Sequence, residues 1–219
     1  MQQSRPSIRL FRDFNHMARL FYSGSVFVAF DTETTGLHAE SDNLIEIGAV
    51  KFDCNGIIGQ TFDNLIKPPI PIPSYITEIT HIDDNLVQNC RNSHDVVTDF
   101  LSYCQDAILV AHNAPFDVGF INVEMMQHRN SYLKNLIIDT LPLARWAYPD
   151  LIKEAEKGQY RLQSLAKRFN ITVKNAHRAD DDARVCMDIF KKIIEDTLPR
   201  QKGIENLNRK KLQAEFSFT

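Results

Sequence analysis

An uninterrupted apolar run, Val26 to Phe30, leads directly into two acidic residues, Asp31 and Glu33. Such a run is typical of a strand that is buried on both faces. Because successive side chains of a strand point to opposite faces, Asp31 and Glu33 point to the same side, about 7 Å apart along the chain. Two carboxylates held this close repel each other. The sequence therefore predicts that something positive lies between them.

The rest of the chain predicts three strands followed by an alternation of helices and strands. Asn55–Gly56 is a turn signal between the second and third strands, and the proline-rich segment 68–74 ends this first group. The predicted strands are Val26–Phe30, Leu44–Phe52, Gln60–Lys67, Ala107–His112 and Asn135–Asp139, and the predicted helices are Asp95–Tyr103, Pro115–Gln127, Arg161–Phe169 and Asp180–Ile194. This order favours an α/β domain with a mixed sheet flanked by helices.

The composition is that of an ordinary globular domain. The 219 residues are 43% hydrophobic and 24% charged, which is enough for a full core. Dispersed cysteines and the lack of a secretory signal pattern predict a reducing, cytoplasmic setting. No apolar run approaches the roughly 20 residues of a membrane span. The net charge of -3 gives no global positive field, so the phosphates of a nucleic acid would be met locally or through metal ions.

The two ends of the chain differ from its middle. They predict an N-terminal amphipathic extension (1–24), a central domain (25–198) and a basic, flexible tail (199–219). The apolar face of the extension comprises Leu10, Phe14, Met17 and Phe21. This spacing predicts an amphipathic helix. Such a helix docks on its own domain or on a partner, or acts as a transit peptide or membrane-surface helix. The sequence leaves these alternatives open.

Two further acids lie on the inward-facing sides of predicted helices. Asp117 opens one helix and is followed by apolar residues at i+3 and i+4. Asp182 shares the apolar stripe of another helix, for which Asp180 is the predicted N-cap. A buried aspartate without partners costs several kcal/mol, so each of the inward acids should have a cation or strong donors nearby. His177 precedes the second helix on a loop.

Four acids and one histidine are thus predicted to face one cleft. Each acid alone has a structural explanation, since an acid in the first turn of a helix is stabilised by the helix dipole. Together and in this order, they favour a metal site. Hard oxygen ligands without cysteine favour Mg²⁺ or Mn²⁺ over zinc.

Three segments, DTETTGL (31–37), HNAPFD (112–117) and H-x-x-x-x-D (177–182), resemble the DnaQ-like (DEDDh) 3'-5' exonucleases, a family that includes proofreading subunits of bacterial replicative polymerases. The resemblance covers about residues 26–194 and implies a ribonuclease H-like fold with a mixed five-stranded sheet. It implies two Mg²⁺ or Mn²⁺ ions per active site and a nucleoside 5'-monophosphate released from a 3' end. The implied roles are metal ligands for Asp31, Glu33, Asp117 and Asp182, and a general base for His177.

The resemblance also implies a pocket for the terminal nucleotide. Residues 34–37 are predicted to form a tight turn whose backbone approaches the nucleotide closely. In the family, the segment that matches residues 78–82 lines this pocket, although His81 stands where the family often has glycine. The implied substrate-binding residues are Thr34, Gly36, Leu37, Ile79, Thr80, His112, Asn113 and Phe116. Plain structural roles in a turn, a strand end and a core would explain several of them as well.

Three functions are open at this point. The favoured one is an exonuclease that acts on single-stranded DNA 3' ends in proofreading or repair. An RNA-trimming exoribonuclease differs from it through contacts to the 2'-OH. A noncatalytic module that binds a replication partner is disfavoured, because all five site residues are present. The termini are candidates for binding a DNA polymerase subunit or a sliding clamp, and Gln213–Phe218 loosely resembles clamp-binding peptides.

Overall fold

A mixed sheet of six strands forms the centre of the computed structural model, which describes residues 8–154 and 157–216, with side chains up to residue 203. The strands are β1 Phe27–Thr34, β2 Leu44–Asp53, β3 Gly56–Ile57, β4 Phe62–Leu65, β5 Ile108–Ala111 and β6 Ile137–Asp139. The helices are α1 Met17–Tyr22, α2 Ser74–Thr80, α3 Asp84–Val87, α4 Ser93–Cys104, α5 Pro115–Arg129, α6 Thr140–Ala147, α7 Leu162–Arg168 and α8 Ala179–Phe216, with short 3-10 turns at Phe14–His16 and Pro149–Lys153.

The antiparallel part of the sheet is organised around β2. This strand runs antiparallel to β1, β3 and β4, whereas β5 is parallel to both β1 and β6. The strand order is β3-β2-β1-β5-β6, with β4 also paired to β2. The predicted mixed sheet with flanking helices is confirmed. The predicted number of five strands is wrong, because the ten-residue β2 pairs with β4 over one part of its length and with the short β3 over another.

Helices cover both faces of the sheet. On one face, Phe27, Phe52 and Phe190 of α8 form a ring cluster with centroids 5.4 to 6.0 Å apart. On the other face, Phe30 packs against Phe100 of α4, with ring centroids 5.3 Å apart. All five rings are fully buried. Burying a phenylalanine stabilises a fold by about 1.5–3 kcal/mol, so these rings hold the sheet rigidly between its helices.

The N-terminal segment is part of this fold. The chain before α1 pairs with β6, where Phe11 N donates to the Ile137 carbonyl at 2.7 Å and Ile137 N donates to the Arg9 carbonyl at 3.0 Å. Helix α1 then buries Met17 and Phe21 in the core that α8 also contacts. The structure supports docking on the chain's own domain. A single helix over the whole extension is wrong, because the backbone around Phe11 instead completes the edge of the sheet.

Helix α8 does not end at Pro199, where the tail was predicted to begin. The Gln201 side chain is buried and accepts a hydrogen bond from Ala18 N in α1. The Arg200 guanidinium lies 3.7 Å from the ring centroid of Trp146 in α6. These contacts hold the turn after the proline against the domain, so the helix continues past a residue that lacks an N–H. The boundary predicted after residue 198 therefore falls inside α8.

The described helices, including α8, give no candidate membrane span, since none of them is both long enough and apolar enough.

The first turn of α8 lies directly on β2 at Gly48. A Cβ atom at Gly48 would approach the Ala179 carbonyl group and Asp180 N more closely than real Cβ atoms ever do. Glycine is therefore the residue that permits this contact. The close approach brings the start of α8, with Asp182, near β1, the strand that pairs with β2.

Replacing Gly48 with alanine should force β2 and α8 apart and lower the free energy of unfolding by about 1–3 kcal/mol. Gly203→Ala is the matched control, since a Cβ there meets nothing within 4 Å. Alanine is the better helix former by about 1 kcal/mol, so this control should be at least as stable as the parent. Urea titrations of the three proteins measure the difference. A Gly48→Ala variant as stable as the parent would contradict the close approach.

Candidate active site

Strand β1 extends past its parallel neighbour and carries the first two acids of the site. It pairs with β2 along its length, but with β5 only from Phe27 to Ala29. The end of β1 therefore has one edge that β5 does not cover. Asp31 and Glu33 lie on this overhang, and each is partly exposed. Their spacing places both carboxylates on one side of the strand, as the sequence predicts.

Asp117 lies next to the overhang in the first turn of α5. Its side chain is buried, and its Oδ1 accepts hydrogen bonds from Thr32 N at 3.0 Å and from Thr32 Oγ1 at 2.8 Å. These are the strong donors that a buried carboxylate requires. Because Thr32 stands between Asp31 and Glu33, the two hydrogen bonds fix α5 to the strand at the site itself.

Asp182 is held by two donors from different segments. Its Oδ1 accepts from Gln163 Nε2 of α7 at 2.7 Å, and its Oδ2 accepts from His177 N at 3.2 Å. The second bond fixes the loop before α8, where His177 adopts a left-handed backbone with φ 62°. The His177 side chain is exposed. The sequence gives no signal for Gln163, which resembles any half-buried glutamine of an amphipathic helix.

Strand β1, the loop before α8 and the start of α8 bring two acids and the histidine together. Ligand atoms of Glu33, His177 and Asp182 lie within 4.8 Å of one another. Oxygen ligands lie roughly 2.0–2.6 Å from Mg²⁺ or Ca²⁺, so atoms with this spacing can surround one divalent ion. The arrangement fits a divalent metal ion, as the acids in the sequence indicate.

The four carboxylates share one site, and the site opposes their ionisation. Burial first, and then the neighbouring charges, raises the pKa of Asp31 well above its ordinary value and the pKa of Glu33 to about 9. Burial also raises the pKa of Asp117 to about 7 and raises the pKa of Asp182. The Arg178 charge acts in the opposite direction on the pKa of Glu33, but burial and the acids outweigh it. A bound cation would relieve this repulsion.

Glu46 is a site-supporting residue that the sequence analysis missed. It is fully buried and stands opposite Glu33 on β2. Its carboxylate accepts from Arg178 Nε at 3.0 and 3.2 Å and from Ala179 N at 2.8 Å. Glu46 rather than Asp180 therefore accepts a free backbone N–H at the start of α8. The predicted N-cap is wrong, because the helix begins at residue 179. The signal for Glu46 in the sequence was a single acid inside an otherwise apolar strand pattern.

The turn after β1 has the predicted tight geometry. Thr34 Oγ1 donates to the Gly36 carbonyl at 2.6 Å. A Cβ at Gly36 would collide with the Asp42 carboxylate, so a larger residue there would have to displace that side chain. Leu37, at the tip, has 77% of its surface exposed. A leucine this exposed is free to contact a ligand, and its placement agrees with the predicted role.

The next two predicted residues, Ile79 and Thr80, lie on α2 and differ in their exposure. Ile79 is 48% exposed, whereas Thr80 is buried. The Thr80 hydroxyl donates to the Ile76 carbonyl at 3.0 Å and accepts from Ile82 N at 3.1 Å, so this placement argues against a nucleotide contact. His81 caps the helix with φ 59°. Because this left-handed region favours glycine, the conformation explains why family members often have glycine there.

His112 also has a structural environment. Its Nδ1 is hydrogen-bonded to Thr140 Oγ1 and its Nε2 to the Tyr160 carbonyl, each at 2.8 Å. Burial is the main cause that lowers the pKa of His112 to about 4. Both ring nitrogens are thus occupied within the protein, which argues against a nucleotide contact through them. Asn113 is exposed and Phe116 is half-buried, so both remain available for the predicted contacts.

Comparisons with known proteins agree with this geometry. A family model described as "Exonuclease" (RNase_T) matches residues 28–190. The "DNA polymerase III subunit epsilon" of Treponema pallidum is 47% identical over 168 residues, covering 77% of this chain and 76% of that protein. A "DNA polymerase III PolC-type" protein of Clostridium perfringens is 41% identical over 197 residues, and the match spans only 13% of that longer protein.

Solved structures show the same fold at lower sequence identity. Exonuclease I superimposes with a TM-score of 0.69 at 23% identity, over 87% of this chain and 45% of that one. E. coli exonuclease I in complex with a dT13 oligonucleotide gives a TM-score of 0.69 at 22% identity, over 82% and 43% of the two chains. Exonuclease X in complex with 5' overhanging duplex DNA gives 0.59, covering 79% of this chain and 92% of that one, at 22% identity.

The family model matches most of the chain, and the T. pallidum relative shares nearly half of the aligned residues. Both agree with the acids and histidine found close together, and this chain belongs to the DnaQ-like exonuclease family.

Proposed function

We propose that this protein hydrolyses single-stranded DNA from its 3' end and releases nucleoside 5'-monophosphates, in proofreading or in repair. The observation that carries the proposal is the convergence of acids from β1, α5 and α8 with an exposed histidine beside them. Membership of the exonuclease family supports hydrolysis of a phosphodiester. The direction of degradation and the choice of DNA are parts of the proposal.

Asp31, Glu33, Asp117 and Asp182 would hold two divalent ions, Mg²⁺ or Mn²⁺. The fit is supported by the raised pKa values of these carboxylates, since their repulsion favours the binding of cations. Two such ions, when bound, activate a water molecule and stabilise the leaving oxygen of an in-line displacement at phosphorus. Oxygen donors without a cysteine support these hard ions rather than zinc.

His177 would act as the general base that takes the proton of the attacking water. Its imidazole is exposed next to Glu33 and Asp182, while its backbone N is fixed by the Asp182 carboxylate. The left-handed backbone at φ 62° turns the loop at this residue. The protein thus holds the backbone of the histidine and leaves its ring accessible to water and substrate.

The terminal nucleotide would lie against the turn after β1. Leu37 and Ile79 expose apolar side chains on neighbouring segments, and Gly36 lets the backbone come close. Asn113 and Phe116 would contact the nucleotide from the opposite side, at the start of α5. Deoxyribose is the proposed sugar because the similar relatives are named as DNA polymerase III components. An RNA substrate is the second candidate.

Association with a DNA polymerase in the cytoplasm completes the proposal, and it rests on the names of these relatives. The two chain ends are the proposed contact regions. Gln213–Phe218 would bind a sliding clamp, a tether that raises the effective concentration of 3' ends. The described backbone of α8 places residues 213–216 at the end of a long helix.

Asp31→Ala should abolish degradation of 3'-labelled single-stranded DNA in Mg²⁺ or Mn²⁺, because it removes one of the carboxylates that would hold the ions. Asp106→Ala is the matched control, since Asp106 is exposed. Time courses with DNA and matched RNA, with metal or EDTA, resolve mononucleotide products. Preference for RNA would move the protein to the second candidate. Full activity of Asp31→Ala, or activity in EDTA, would refute the metal mechanism.

The metal-free protein should lose stability as pH rises from about 4 to about 9. Unfolded carboxylates titrate near pH 4, whereas Glu33 titrates at about 9 and Asp117 at about 7 in the fold. The folded state binds more protons over this window, so the free energy of unfolding falls as pH rises. Divalent ions should restore the loss at high pH.

Melting temperatures at several pH values, in EDTA and in excess Mg²⁺ or Mn²⁺, measure this dependence. Glu33→Gln should flatten the fall in EDTA, because it removes a carboxyl whose pKa is raised to about 9 and one source of repulsion. The same slope in the parent and in Glu33→Gln would show that the acids are not the cause.

Deleting residues 204–219 should weaken binding to a sliding clamp and leave hydrolysis of short DNA unchanged. The deletion retains Gln201, which is hydrogen-bonded to α1, so the domain should keep its fold. Surface-immobilised clamp and a labelled trinucleotide give the two readouts. Equal clamp affinity before and after the deletion would rule out the tail as the contact.

A further inference from the structure

A cleft lies between α6 and the loop that leads into α7, outside the cluster of acids. Its volume is 690 Å³, within the range of about 300–1,000 Å³ typical of pockets that hold small ligands. Asn113 and the loop residues Gln159 and Tyr160 are among the residues that line it. Since Asn113 lies two residues before α5, the helix that carries Asp117, one wall of the cleft adjoins an element of the candidate active site.

Two arginines line this cleft, which we call the arginine cleft: Arg145 from α6 and Arg161 from the residue before α7. The Arg145 guanidinium lies 5.8 Å from the ring centroid of Tyr160, on the wall of the cleft. Its charge adds to the burial that lowers the pKa of His112, and it opposes the burial that raises the pKa of Asp139.

The two guanidinium groups differ from four arginines of the described chain that are paired with acids. Arg91, Arg168, Arg178 and Arg184 each form an ion pair with a carboxylate. Within the described ranges, no carboxylate lies within ion-pair distance of Arg145 or Arg161, and both side chains are exposed. They are available to an anion that enters the cleft.

The chain as a whole does not attract anions. Its net charge is -3, and the candidate active site concentrates acids. A nucleic acid strand therefore needs local cations where its phosphates lie. Arginine suits this task, because its planar guanidinium donates two parallel hydrogen bonds to one phosphate.

The order of the strands indicates which part of a substrate would lie in the cleft. The turn that would hold the terminal nucleotide follows β1, whereas α6 follows β6, two strands away across β5. A strand whose 3' end lies at the turn after β1 would cross the end of β5 at Asn113 and then reach Arg145 and Arg161. Its 5' portion would lie between the guanidinium groups and the exposed Ile152.

We propose that the arginine cleft binds a phosphate of the substrate strand on the 5' side of the scissile bond, through Arg145 and Arg161. This inference rests on the proposed exonuclease function. The residues would position the strand and take no part in the chemistry. The expected ligand is the phosphodiester of single-stranded nucleic acid, and a free nucleotide is the competing occupant.

The test uses Arg161→Gln and Arg145→Gln, with Arg12→Gln as the control because Arg12 is an exposed arginine of the N-terminal segment. One substrate is the p-nitrophenyl ester of thymidine 5'-phosphate, which has no phosphate on the 5' side. The other is a single-stranded oligothymidylate. Each cleft variant should raise KM for the oligonucleotide about tenfold with kcat little changed, and leave the ester unaffected.

A second readout does not depend on catalysis. Fluorescence anisotropy of a labelled oligothymidylate, measured over a range of salt concentrations, gives the slope of log affinity against log salt. Each cleft variant should reduce the magnitude of this slope by about 0.7, the value for one lost contact with a single strand. Arg145→Lys should retain most of the slope, since it keeps the charge.

These outcomes separate the two proposals. If the parent hydrolyses neither substrate, the exonuclease function fails, while the anisotropy still decides the cleft. Unchanged KM and salt slope in both cleft variants would overturn the cleft as a strand-binding site. The proposal would also be overturned if Arg161→Gln lost competition by thymidine 5'-monophosphate but kept oligonucleotide binding. The occupant of the cleft would then be a free nucleotide.

Discussion

The ion pair between buried Glu46 and half-buried Arg178 determines where the His177 loop and α8 meet the sheet. Glu46 stands in β2 beside Glu33, and it binds both the guanidinium of Arg178 and the backbone of Ala179. Removing one partner of a buried pair typically costs about 3–5 kcal/mol, because the other charge is left uncompensated. His177 immediately precedes this pair in the chain. Its position therefore depends on a carboxylate that is paired with an arginine.

The site combines a rigid frame with an unfavourable charge distribution. Hydrogen bonds from Thr32 to Asp117 and from Gln163 to Asp182 hold the acids in place even though their charges repel. A protein optimised for stability alone would replace such acids with neutral side chains. The frame keeps them close, and this closeness favours the binding of cations.

The sequence predicted those parts of the site that depend on periodicity. Alternation along β1 placed Asp31 and Glu33 together, and helical spacing turned Asp117 and Asp182 inward. It could not predict contacts between distant segments, such as the Glu46–Arg178 pair or the hydrogen bonds that occupy His112. The continuation of α8 past Pro199 was missed for the same reason, since packing of the next turn against α1 and α6 overrides a local helix breaker.

Helix α8 links the catalytic end of the protein to a distant point. From Asp182 to the end of the helix at Phe216 there are 34 residues, and at 1.5 Å per residue this is up to about 50 Å. A protein held at the far end of the helix would be anchored well away from the acids. Such anchoring would act on how often substrate arrives.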